Sequence, residues 1–229
     1  LKNMDLLLTD ITFGEFLDPI WLSLQTAVVA GIVVILTGTL VGRAMARREF
    51  KGRAILETVL MLPLVLPPTV VGFFLIVFFG RNSMGGQVFE WVFNQPIIFT
   101  WWAAVIASTV VAFPLMYQSA KSGFQGVDST IEEAARVDGA GEWKILLLIS
   151  IPLASRALIA GSLLSLARAL GEFGATLMFA GNIPGETQTV PTAIYIAIDS
   201  GDMTMAWAWV ISIVIISFVM LLTVRVKQK

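Results

Sequence analysis

The sequence predicts an all-α polytopic membrane protein with five transmembrane helices. Three observations carry that prediction. Of 229 residues, 57% are hydrophobic and only 14% are charged, where a soluble domain would carry about 25% charge; the mean hydropathy is +0.84. The apolar excess falls in runs long enough to cross a hydrocarbon core of about 30 Å. Lys and Arg gather in alternate loops, which is how orientation is written into a membrane chain. The formal net charge of −1 argues against nucleic acid as a partner, since that needs a basic surface. Cys and His are both absent. That removes disulfides, thiol chemistry and the usual zinc or haem ligands, and leaves the redox compartment unread.

Residues 1–19 set Asp5, Asp10, Glu15 and Asp18 against Lys2. They read as a short interfacial helix or a loose extracytoplasmic tail. No basic region followed by an apolar core and a cleavage site opens the chain, so the expectation is an uncleaved first span that directs insertion. That span covers about 20–42 and ends at the basic run Arg43, Arg47, Arg48, Lys51 and Arg53. The second covers about 55–80 and contains Pro63, Pro67 and Pro68, followed by Thr69. Three prolines remove three backbone donors and disrupt the helix, which lipid tolerates only where protein or a cavity re-satisfies the freed carbonyls. Residues 81–96 read as a loop. The third span covers about 97–119, with Trp101 and Trp102 as interfacial anchors and Pro114 near its end.

A hydrophilic segment, 120–144, follows. Then 143–151 reads as an amphipathic or apolar elbow ending at Pro152, and the fourth span covers about 153–180, interrupted at 168–174. Residues 181–204 are Gly/Pro-rich and polar, with an apolar stretch at 190–198 too short to cross, a candidate re-entrant outer helix. The last span covers about 205–224, with Trp207 and Trp209 near its start and Arg225, Lys227 and Lys229 in the tail.

Segments 43–53, 120–144 and the tail hold five, three and three Lys or Arg; segments 1–19, 81–96 and 181–204 hold one, one and none. Five spans put the first group on one side, and the eleven-to-two ratio puts that side in the cytoplasm. The N-terminus is then outside and the C-terminus inside. A sixth crossing at 190–198 would carry the basic tail out and is rejected. No internal repeat is apparent, which weighs against secondary transporters built from inverted repeats.

The polar stretch 129–141 lies on the cytoplasmic side. Ser129 and Thr130 each stand three residues before a glutamate, Glu132 or Glu133, so either can open a capping box. Gly139 and Gly141 suit the helix end, where a left-handed residue satisfies orphan carbonyls. Ala134 and Ala135 are small enough for another surface to come close. So short a helix is marginal in water and must be held by packing. The plain alternative is a solvated loop helix with ordinary charges. The order Glu133-Ala134-Ala135, then Gly139, then Ile151-Pro152 resembles the Glu-Ala-Ala loop of ABC importer permeases. In that family the loop forms a coupling helix that docks in a groove of an ATPase subunit. The resemblance makes 120–152 a cytoplasmic coupling loop within one permease domain, 1–229. Glu132, Glu133, Ala134, Ala135, Arg136, Asp138, Gly139 and Gly141 become the coupling residues, with Glu132, Glu133, Arg136 and Asp138 as rim contacts.

Arg168 and Glu172 lie well inside the fourth apolar run, four residues apart. A charge at the bilayer centre costs about 2.5–3.5 kcal/mol on insertion scales, so such residues face the protein interior. They read either as a packing pair or as a lining of the path or gate, and Gly171 and Gly174 would permit a kink beside them. Pro63, Pro67, Pro68 and Thr69 carry the same two readings. Arg156 reads as a snorkelling anchor.

The run 62–72 and the runs 168–176 and 181–189 resemble the second span, fourth span and outer loop of molybdate ABC transporter permeases. Sulfate permeases share a Leu-Gly-Glu pattern but typically have Tyr-Gly-Ser where this chain has Phe173-Gly174-Ala175. With the coupling loop, the resemblance runs from about residue 20 to the end. It implies a type I ABC importer permease fold that moves molybdate, with tungstate close in size and charge. It also implies a second copy of this chain, a cytoplasmic ATPase dimer and an extracytoplasmic molybdate-binding protein. No G-x-x-x-x-G-K-[ST] loop occurs, so ATP and Mg are expected on the partner ATPase and no cofactor or catalytic residue in this chain. Three rivals stand beside this reading: a permease for sulfate or another oxyanion, a stand-alone secondary transporter, and a membrane enzyme. Glu172 is the one deep carboxylate, so the enzyme lacks a paired acid and base.

Overall fold

The computed structural model describes residues 13–227, with side chains described for 14–222. Lys2, Asp5, Asp10 and Lys229, on which parts of the charge argument fall, lie outside the described residues.

The first helix, α1 (Phe13–Arg47), is 35 residues long and carries Pro19 inside its first turns. At helical rise that is about 52 Å, so both ends project beyond a bilayer core. The part of the predicted tail that is described, 13–19, is therefore helix. The second span is two helices, α2 (Arg53–Val65) and α3 (Pro68–Phe79), bent by 117° at the break. Only two of the three prolines make that break. Leu66 and Pro67 each precede a proline and are pushed into extended backbone, at φ −69°, ψ 144° and φ −53°, ψ 136°. Pro63 is accommodated within α2.

The predicted loop 81–96 contains a helix, α4 (Met84–Phe93). Its N-terminus is capped by Ser83 Oγ, which accepts from Gly86 N–H at 3.0 Å, and it ends at Asn94 in the left-handed region. The third span, α5 (Trp101–Gln125), starts and ends later than predicted. Residues 97–100 form a turn held by Phe99 N–H donating to the Phe179 carbonyl.

The coupling stretch is α6 (Ser129–Val137). The predicted elbow is instead continuous helix. Helix α7 (Glu142–Ile145) passes through a π turn (Leu146–Ser150) into α8 (Ile151–Leu170), 29 residues without a gap. Pro152 lies just past the widened turn. In a regular α-turn its ring would meet the Leu148 carbonyl, and the π turn relieves that collision. After a break at 171–173 come α9 (Gly174–Ala180), α10 (Val190–Asp199) and α11 (Met203–Lys227). With ten residues, α10 is too short to cross. Among the described residues, four helices are long and apolar enough to span a membrane, and the bent pair makes five when counted as one.

Helices α1, α5 and α8 form the centre, sharing a cluster that includes Ala30, Val34, Ala112, Met116, Ala120, Phe124, Ala154 and Leu158. Small residues let the backbones approach, as at helix contacts in lipid. A Cβ on Gly42 would lie 2.7 Å from that of Ala120. At the end remote from α6, polar side chains join the elements. Trp101 Nε1 donates to Thr26 Oγ1 at 3.0 Å, Val190 N–H to Ser23 Oγ at 2.7 Å, and Trp209 Nε1 to the Phe16 carbonyl at 3.0 Å. Trp102 and Trp207 are exposed as anchors should be, whereas Trp209 is buried.

Candidate coupling helix and translocation path

The coupling helix is capped by Asp128, whose Oδ1 accepts from Thr130 N–H at 2.9 Å. The capping box expected at Ser129 or Thr130 does not form, because the chain leaves the extended region one residue earlier. That hydrogen bond also holds the Asp128 carboxyl below its ordinary value.

At the other end, Gly139 has φ +84°. Gly139 N–H donates to the Arg136 carbonyl at 3.0 Å and Ala140 N–H to the Ala135 carbonyl at 2.9 Å. That is the paired 5→2 and 6→1 arrangement of a Schellman motif. Nothing lies within 4 Å of where a Gly139 Cβ would stand, so the backbone angle, not crowding, calls for glycine. Gly141 has φ −71° and open space around it; it precedes α7 as an ordinary extended residue. Arg136 closes the turn by donating to both carboxylate oxygens of Glu142, at 2.6 and 3.3 Å.

The two glutamates part company. Glu133 is exposed, as are Ala134 and Asp138, while Ala135 is half-buried. Glu132 is 2% exposed and is not a rim contact. Arg43 Nη2 donates to its Oε2 at 3.0 Å and Ser150 Oγ donates to its Oε1 at 2.8 Å; Arg43 Nη1 lies 2.9 Å and Arg47 Nη2 3.7 Å from Oε1. Burial pushes the Glu132 carboxyl up, but the hydrogen bonds and charges of Arg43, Ser150 and Arg47 outweigh it and hold it below its ordinary value. The outward face also shows Ile131, Val137 and Trp143, at 44, 87 and 70% exposure. Sequence reading missed these apolar groups. It missed Arg43 and Arg47 as well, although their i, i+4 spacing at the end of a span was a usable signal.

The two broken spans meet. A Cβ on Gly174 would lie 2.9 Å from Pro68 Cβ and 3.4 Å from Thr69 N, and one on Gly72 3.1 Å from Ala175 Cα. Helices α3 and α9 therefore run side by side from their breaks, N-terminus beside N-terminus. At the second break Arg168 Nη1 and Glu172 Oε2 are 2.7 Å apart. Helix α8 has already stopped at Leu170, so the pair spans the turn and not a continuous helix. Glu172 Oε1 accepts from Ala175 N–H at 2.8 Å and so caps α9. Gly171 sits at φ −92° and uses no glycine freedom; the close approach at Gly174 does need glycine. Pro67, Pro68, Thr69 and Gly171 are exposed and Arg168 is partly so, whereas Glu172 is buried.

The profile of the family described as binding-protein-dependent transport system inner membrane component matches residues 35–228. This chain belongs to that family. A Bacillus subtilis protein named "Putative molybdenum transport system permease protein YvgM" is 65% identical over 98% of this chain and 99% of its own. The molybdenum transport system permease protein ModB of Escherichia coli is 42% identical over 86% of this chain and 88% of its own. Among solved structures, a chain of a bacterial alginate ABC transporter, crystallised with a pentasaccharide-bound periplasmic protein, superposes with a TM-score of 0.75. It shares 16% identity over 95% of this chain and 80% of its own, which shows the inner membrane component fold and nothing of its cargo.

Proposed function

We propose that this chain is the permease subunit of an ATP-driven importer that carries molybdate, with tungstate as a close alternative, into the cytoplasm. The observation that carries the transport reading is the coupling helix: a nine-residue element pinned from behind, with Glu133, Ala134 and Val137 turned outward. Such a surface suits docking in a groove of a separate ATPase dimer, where ATP and Mg would bind. The chain itself serves as the transport subunit and performs no hydrolysis. The near full-length identity to YvgM supports molybdate.

The path is assigned to the two breaks, with Pro67, Pro68, Thr69, Arg168 and Gly171 on the open side and Pro63, Glu172 and Gly174 less exposed around them. In lipid, irregular backbone persists only where protein or a water-filled cavity covers it. Pro67, Pro68 and Gly171 are exposed in the single chain, which supports a second copy facing them across the path. Arg168 is partly neutralised by Glu172, so an oxyanion would be held weakly, as passage requires.

The end remote from α6 is taken as extracytoplasmic, with the N-terminus outside and the C-terminus inside. A cleft of about 610 Å³ there carries Glu15, Asp18 and Asp202, with no Lys or Arg among the described residues lining it. A free oxyanion gains no attraction at such a mouth, which supports delivery by a molybdate-binding protein.

Affinity capture from native membranes, with this chain as bait, tests the assembly. An ATPase with a Walker-type phosphate loop and an oxyanion-binding protein are expected together. Capture of neither, with uptake driven by an ion gradient, would refute the reading.

A further inference from the structure

Among the residues of α6, Glu132 is the one that is buried. The helix is otherwise tied to the bundle by short turns at either end. Arg136 ties it to Glu142 of α7 at the surface, and its one buried polar hold on the bundle is the Glu132 carboxylate. That carboxylate directly reaches two other elements, and through its arginines a third. Arg43 and Arg47 stand on the last turns of α1, and Ser150 ends the π turn at the foot of α8. Arg43 places its guanidinium 5.6 Å from the centroid of the Phe124 ring, near the end of α5. Arg47 also donates to the Val127 carbonyl at 2.7 Å, in the link that enters α6. Ser150 Oγ lies 3.3 Å from the Ile145 carbonyl, inside the widened turn.

Stability alone does not call for this arrangement. A buried ion pair is often replaceable by apolar packing at no loss, and its best-attested use is to fix one geometry. Here the fixed geometry is the angle between the coupling helix and the ends of α1, α5 and α8, the three helices that form the centre. The π turn it grips is a type of feature found at functional positions in helices.

We propose that Glu132 is a positioning residue for energy coupling, which carries displacement of α6 into the first span through Arg43 and Arg47 and into the fourth through Ser150. This rests on the reading of α6 as the ATPase-docking helix. The first span then moves with the ATPase directly and not only by contact with its neighbours.

The test uses the complete transporter, with this permease, its ATPase and its binding protein, in liposomes. Molybdate taken up per ATP hydrolysed is measured for wild type, Glu132→Gln, Arg43→Gln and the double variant. Each single variant should assemble and hydrolyse ATP at a rate within about twofold of wild type, while uptake per ATP falls about tenfold, within the usual range of coupling energies. The double variant should lose no more than either single one, because both act through one contact. An unchanged ratio, a proportional fall of hydrolysis and uptake with loss of assembly, or additive losses in the double variant would overturn the proposal. Absence of ATP-dependent uptake in the wild type would overturn the reading beneath it.

Discussion

At the scale of single residues, the coupling helix separates neighbours that look alike in sequence. Gly139 and Gly141 are two apart, yet only Gly139 lies in the left-handed region. Gly139→Ala should cost about 1–2 kcal/mol, the strain of an L-residue in that conformation, whereas Gly141→Ala should fall within about 0.5 kcal/mol of wild type. Thermal unfolding in detergent measures both, and equal effects would contradict the assignment. Glu132 and Glu133 differ as sharply. Sequence placed both on a rim because the arginines that bury Glu132 lie far away in the chain; Arg43 is 89 residues distant. The ion pairs also have a sign in pH. The folded-state value of Glu132 lies below its ordinary 4.5, so its contribution is fully present above that value and lost as pH falls through the folded one. Amide hydrogen exchange over 129–137 should therefore be independent of protonation of this group from neutral pH down to about 5 and show loosening only below about 4.5. Loosening between about pH 7 and 6 would show that another group holds the helix.

At the scale of elements, the breaks were legible and the continuities were not. Pro67-Pro68 and the run 168–174 announce interruption, because prolines and an intramembrane charge leave few alternatives. The same reasoning overreached at Pro152. A proline early in a helix is compatible with continuity when the preceding turn widens, and nothing local in Leu146–Ser150 signals a π turn. Helix α4 was hidden by Gly85 and Gly86 and by its shortness; its Ser83 cap was the available clue. The break in the second span invites a direct check. Replacing both Pro67 and Pro68 by Ala should let α2 run into α3. The distance between labels at Thr58 and Val77 should then lengthen to about 28 Å, nineteen residues at helical rise, roughly twice the bent separation. An unchanged distance would mean that packing of Gly72 and Gly174, and not the prolines, sets the bend.

At the scale of the whole molecule, a bent pair and an interrupted span lie together, and their second halves run side by side. The spans, their order and the basic end with α6 were readable because hydropathy and charge act over long windows. A shared path for the two broken spans was readable too, but the side-by-side course of α3 and α9 was not, since residues 68 and 174 are joined only by packing. In the proposed transport cycle, that meeting of the breaks is what movement of the coupling helix would open. The proposed path and coupling site share α8, with the Ser150 contact at its foot and Arg168 at its far end. A displacement of one end of this helix therefore reaches the other without passing through a loop. The most direct measurement of the central claim is uptake of labelled molybdate by liposomes containing this permease and its ATPase, with the binding protein supplied outside. The account predicts uptake that requires ATP within, requires the binding protein, and persists in excess sulfate. Uptake by the permease alone under an ion gradient, or uptake abolished by sulfate, would contradict it.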